Sequence, residues 1–173
     1  MKWYKKGNVY TLSKFLTKSP TNIMLIGEYR HVMDGKNRLS LPAKFRRETG
    51  KKVVITSGLD SCLFIFTVKS WETITERLSS PDSSMLSADN RSFNRYLLGG
   101  AVEVEVDALG RMLLPEYLVS RAKLGRNVVI VGVRDRAEIW DEARWDAYRA
   151  DVEGRANDLS EKLAGKLGEA GMV

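Results

Sequence analysis

Cysteine and histidine each occur once in these 173 residues, and proline four times. A single thiol cannot close an intramolecular disulfide, so packing alone must hold the fold, as is usual in the cytosol. Its setting, Cys62-Leu-Phe-Ile-Phe66, reads as a buried small hydrophobe and not as a nucleophile. One histidine and one cysteine offer no metal-ligand spacing. Neither a G-x-S-x-G elbow nor a phosphate-cradling glycine loop is present. The chain is therefore expected to be no enzyme, to use no cofactor, and to take no small-molecule substrate. No apolar run reaches the roughly 18 residues that span a bilayer, so no membrane partner is expected either.

What the chain does have is a repeat, which bears on architecture before anything else. Asp34-Gly-Lys-Asn-Arg38-Leu-Ser-Leu-Pro42 returns as Asp107-Ala-Leu-Gly-Arg111-Met-Leu-Leu-Pro115, at an offset of 73 residues. The offset drifts to 75 where Val53-Val54-Ile55 answers Val128-Val129-Ile130, and to 74 where Trp71 answers Trp145. Two copies of one β-rich unit, each carrying a D-x-x-x-R loop, make up the chain.

Charge divides the copies. The net charge is +6, and Lys2, Lys5, Lys6, Lys14 and Lys18 precede Met24 with no acid among them. Residues 24–80 are net basic and residues 98–153 net acidic. A duplicated fold with one basic copy suggests that a polyanion meets the first copy while the second has another task. Neutral drift of surface charge is the competing reading. Residues 1–23 interrupt their apolar positions too often for a signal peptide and are expected to be a disordered basic extension.

Within each copy the pattern predicts the same order of elements. Val102, Val104 and Val106 alternate with Glu103 and Glu105, the period of a half-buried strand. Leu25–Met33 follows it loosely, with His31 on the valine face, where a packed histidine is expected and not a ligand. Short strands Leu39–Leu41 and Met112–Leu114 follow the loops. Pro42 and Pro115 suit a first helical position and open helices reaching about Glu48 and Arg121. Hairpins then join Lys52–Thr56 to Cys62–Phe66, and Asn127–Gly132 to Ala137–Trp140. Trp71, Ile74 and Leu78 recur at helical spacing, as do Trp145, Tyr148 and Val152, so both stripes are expected in the core. A further helix is expected from Ala88 to Leu98, with Gly99 as its C-cap. Glycines at 154, 165, 168 and 171 predict a marginal helix or frayed end beyond Glu153.

In the loops, Asp34 and Asp107 are positioned to accept backbone N–H groups and to pair with the arginine four residues on. Asn37 and Gly110 occupy the place where a positive φ would close the turn. Arg38 then projects a five-donor fork from a hairpin tip. Around it the chain adds Arg30, Lys36, Lys44, Arg46, Arg47, Lys51 and Lys52, types that suit phosphate contacts or bidentate reading of guanine. A solvated basic surface without function is the bland alternative.

At these residues the chain resembles the MraZ family of bacterial transcriptional regulators. The resemblance runs through Gly27–Arg46, Gly58-Leu-Asp-Ser-Cys-Leu-Phe-Ile-Phe66, Leu97–Glu103, Asp107–Pro115, Val129-Ile-Val-Gly132 and Glu138-Ile-Trp140. It implies a mixed α+β, β-rich fold: two tandem swapped-hairpin repeats of the AbrB/SpoVT type, packed as an internal pseudo-dimer with flanking helices. The chain then divides into a first repeat over 27–71, a helical linker over 72–99, a second repeat over 100–143, and a C-terminal helix and tail over 144–173, while the extension over 1–23 has no counterpart in the family pattern. It further implies ring-shaped homo-oligomers on the nucleoid, and a repressor of the division and cell-wall gene cluster that binds short direct repeats in its own promoter. Arg38 would be the DNA contact and Arg111 its counterpart. The family's first loop is usually D-x-K-G-R, and this chain has Gly35 and Asn37 at its second and fourth places. An antitoxin-like protein-interaction module is the alternative, but residues 154–173 are short and glycine-broken for the arm it would need.

Overall fold

The computed structural model describes residues 24–79 and 87–169. The extension expected over 1–23 and the polar stretch from residue 80 lie outside them. The described residues fall in two units, one ending at Asp141 and one beginning at Glu142.

The first unit holds eight strands: β1 (Leu25–Val32), β2 (Arg38–Ser40), β3 (Lys52–Ser57), β4 (Leu63–Thr67), β5 (Val102–Glu105), β6 (Arg111–Leu113), β7 (Asn127–Arg134) and β8 (Ala137–Asp141). Its helices are α1 (Ala43–Thr49), α2 (Val68–Leu78), α3 (Ala88–Leu97) and α4 (Glu116–Arg121). Six strands form one sheet in the order β1-β7-β8-β4-β3-β5, and β2 pairs with β6 in a separate ribbon. All of these pairings are antiparallel.

Two hairpins, β3–β4 and β7–β8, stay within their own repeat. Every other pairing crosses between repeats: β1 with β7, β5 with β3, β4 with β8, and β2 with β6. These are swapped hairpins, and the register shows an internal two-fold. Leu39 opposes Met112, its own repeat counterpart, and Phe64 opposes Glu138, which follows it by the 74-residue offset. The pair Tyr29–Ile130 has its equivalent in Ile55–Val102.

Alternation along the strands sends one set of side chains into a single core. Leu25, Leu39, Val53, Ile55, Leu63, Ile65, Met112, Val128, Ile130 and Ile139 are fully enclosed, and Phe45 of α1 and Leu118 of α4 close over them. Phe45 meets the half-buried Tyr29 edge-on at 5.1 Å. Cys62 is buried, and that burial raises its thiol pKa, keeping it protonated.

Several helix details differ from expectation. Pro42 and Pro115 sit one place earlier, as N-caps. Leu98 is the C-cap of α3, and the Gly99 N–H still reaches the Arg95 carbonyl at 3.1 Å. Trp71 is half-buried, stacked at a tilt on Phe66 5.5 Å away. In the second unit, α5 (Glu142–Gly154) buries no residue, so Trp145, Tyr148 and Val152 are not core. Of the two expectations beyond Glu153, a marginal helix or a frayed end, the helix is the one found: α6 (Ala156–Glu169), 14 residues long. Leu, Lys, Glu and Ala supply enough helix propensity to offset its two internal glycines.

The strand exchange brings backbones very close where β1 crosses β7. A Cβ on Gly132 would lie 2.5 Å from the Leu25 carbonyl carbon and 2.6 Å from the Ile26 nitrogen. Gly132→Ala should therefore cost about 1–3 kcal/mol, as overpacking does, and lower the melting temperature. Gly35→Ala, whose new Cβ meets nothing within 4 Å, should melt within about a degree or two of the parent.

Candidate nucleic-acid interface

Both D-x-x-x-R loops fold into the same cage around a carboxylate. Asp34 Oδ1 accepts the Lys36 N–H at 2.8 Å and the Arg38 N–H at 2.9 Å, while Oδ2 accepts Arg38 Nε at 2.7 Å. Asp107 does the same for Leu109 at 2.9 Å, Arg111 N–H at 2.8 Å and Arg111 Nε at 2.9 Å. A backbone pair closes each turn: Asp34 N–H to Arg38 O with Asn37 N–H to Asp34 O, and Asp107 N–H to Arg111 O with Gly110 N–H to Asp107 O. Left-handed residues complete the bend, Asn37 at φ 57° and Gly110 at φ 79°.

The carboxylates thus orient the arginines. Each arginine donates to its own aspartate from Nε, Arg38 at 2.7 Å and Arg111 at 2.9 Å. The Arg111 guanidinium also brings Nη2 within 2.8 Å of Asp107 Oδ2.

The β2–β6 ribbon then places both arginines on one side. Directly opposed residues share a face of an antiparallel pair, and Leu39 with Met112 takes the buried face. Arg38, Leu113, Ser40 and Arg111 therefore share the outer face, around the internal two-fold. Leu113, 58% exposed, and Leu109, 66% exposed, add apolar surface beside them.

The other cations divide by environment. Lys36 is exposed on its loop, and Lys44 with Arg47 lies on the outer side of α1, three residues apart on one helix face. Arg30 is on the edge strand β1, paired with Glu28 at 3.3 Å. Arg46 is turned inward, donating from Nε to the Leu41 carbonyl at 2.9 Å and from Nη1 to the Leu109 carbonyl at 3.3 Å. Its charge, after burial itself, also lowers the pKa of the half-buried His31, which favours the neutral imidazole. Lys52 is committed to Glu103 at 2.6 Å. Sequence reasoning missed Glu116, whose Oε2 accepts the Asn37 side-chain amide at 2.5 Å. Its repeat counterpart is Ala43, so nothing in the repeat pointed to it.

A strand-exchanged double hairpin presenting two carboxylate-caged arginine loops on one face is the AbrB-type swapped-hairpin class. Comparison with known proteins narrows this. A family model described as "MraZ protein, putative antitoxin-like" matches residues 24–95 and again residues 97–167. The chain is 45% identical over 150 residues to the transcriptional regulator MraZ of Caldicellulosiruptor saccharolyticus, covering 86% of this chain and all of that protein. It is 41% identical over 140 residues to the transcriptional regulator MraZ of Caldanaerobacter subterraneus subsp. tengcongensis, covering 81% and 96%. The chain belongs to the MraZ family of transcriptional regulators.

The cages make the loops acid-sensitive in a defined window. The Arg38 backbone N–H and guanidinium hold the Asp34 carboxyl down at about 2, below its ordinary 3.8. The Asp107 carboxyl is lowered chiefly by the Arg111 backbone N–H. A depressed folded-state pKa stabilises the fold fully above the unfolded value, and that contribution is lost as pH falls toward the folded one. Side-chain carboxyl NMR should show Asp34 titrating near pH 2. A midpoint near the ordinary carboxylate value would mean that the cage is open in solution.

Proposed function

We propose that this regulator binds double-stranded DNA sequence-specifically through the outer face of the β2–β6 ribbon. On this reading it represses its own promoter and the adjoining division and cell-wall genes by engaging short direct repeats there. The observation that carries the reading is the pair of caged loops. Each arginine leaves its loop with its backbone and Nε fixed, so little freedom is lost when its outer nitrogens meet a base or phosphate. Arg38 is the principal base reader, able to take guanine O6 and N7 from the major groove. Lys36, Lys44, Arg47 and Arg30 supply backbone attraction, and Arg46 adds charge from behind the ribbon. Arg111 makes the lesser contact, because its repeat is net acidic.

One protomer offers a small reading head, so spaced boxes call for several copies. A ring-shaped homo-oligomer multiplies modest contacts through effective concentration. Such a protein works in the cytoplasm, on the nucleoid.

An electrophoretic shift on the DNA upstream of the protein's own gene, with random duplex as competitor, tests this. Arg38→Ala should lose about 1–3 kcal/mol for each bidentate contact, compounded over the protomers on one operator, with folding and assembly mass intact. Arg111→Ala should lose less, and affinity should fall steeply with salt. An Arg38→Ala protein that shifts the DNA as the parent does, or equal losses in the two variants, would count against the reading.

A further inference from the structure

Each loop is also gripped from outside by the opposite repeat. The backbone part of the grip is symmetric: the Leu114 N–H donates to the Asn37 carbonyl and the Leu41 N–H to the Gly110 carbonyl, both at 2.9 Å. The side-chain part is not. Loop 34–38 is held by Glu116, at the start of α4, through the Asn37 amide. Loop 107–111 is held by Arg46 of α1, which donates to the Leu109 carbonyl and lies across Gly110. At the repeat offset, Glu116 corresponds to Ala43 and Arg46 to Val119, so neither hold has a counterpart.

This asymmetry accounts for the different left-handed residues of the two loops. A Cβ on Gly110 would overlap Arg46 Nη1 and Cζ and stand 2.5 Å from its Cδ. Any side chain there displaces the guanidinium, so the Arg46 hold requires glycine at this position. Glycine at 37 would satisfy φ equally well but would lose the amide that reaches Glu116. The residue at each bend is thus matched to a clamp in the other repeat.

We propose that Glu116 and Arg46 are positioning residues for DNA recognition, each fixing the loop arginine of the opposite repeat. Glu116 sets Arg38 through Asn37, and Arg46 sets Arg111 through Leu109 and Gly110. This rests on the loops being the DNA-contacting elements. The two arginines then act as one reading head, because neither loop keeps its geometry without the other repeat's helix.

Amide hydrogen exchange on the full chain tests the clamps without DNA. Glu116→Ala and Asn37→Gly should speed exchange of the Lys36 and Arg38 amides, and Arg46→Ala that of the Leu109 and Arg111 amides. Glu116→Gln keeps an acceptor and should exchange like the parent. On the upstream duplex, Glu116→Ala should bind about 5-fold more weakly than Glu116→Gln, the effect of one hydrogen bond. Both variants lose the charge, so their difference isolates the bond. Gly110→Asn should weaken binding in the parent and cost little further in Arg46→Ala, where the clash is gone. Unchanged exchange in Glu116→Ala, or equal DNA affinity of Glu116→Ala and Glu116→Gln while Arg38→Ala is impaired, overturns this proposal alone. If Arg38→Ala itself binds like the parent, the DNA reading fails and the proposal fails with it.

Discussion

Neither repeat can complete a sheet from its own strands. β1 finds its partner in β7 and β5 finds its partner in β3, each across the internal two-fold, so the hydrogen bonds of both first strands depend on the other repeat. Buried backbone groups left unpaired would be costly, and the core side chains of the two repeats form one continuous cluster. Half of the first unit should therefore not be stable alone. The same exchange brings β2 against β6, and so carries the two loops to one face. The shared arginine face is a consequence of the strand exchange.

On that symmetric frame the decoration is asymmetric. The inner cages agree bond for bond, because an aspartate, two backbone N–H groups and an arginine Nε solve the same turn twice. Outside the cage the copies diverge: Asn37 against Gly110, Glu116 against Ala43, Arg46 against Val119, a net-basic first repeat against a net-acidic second. A duplicated unit whose copies are held in one rigid frame can specialise in this way without losing register. Arg38, in the net-basic repeat, and Arg111, in the net-acidic one, carry that division in one pair of side chains.

Much of this is legible in the amino-acid sequence. The 73-residue offset reveals the two repeats, strand alternation locates most of the elements, and the spacing of Asp and Arg indicates that the carboxylate holds its own loop. Pairing partners are not legible, because a period of two marks a strand without saying which strand lies beside it. Arg46 reads as one more member of a basic cluster, since its contact with Leu109 spans 63 residues of chain. Glu116 carries no signal at all. The stripe of Trp145, Tyr148 and Val152 matches helical spacing as well as that of α2 does, yet α5 buries none of it. Periodicity reports a possible face and not its occupant.

The most direct test of the account is protection of backbone amides by DNA. Hydrogen exchange should be measured on the full protein with and without the duplex upstream of its own gene. Slowed exchange concentrated at residues 34–40 and 107–113, with lesser change over α1, is the predicted result. Protection confined to α2, α3 or the C-terminal helices, with the ribbon unaffected, would contradict the claim that the paired arginine loops are what this regulator presents to DNA.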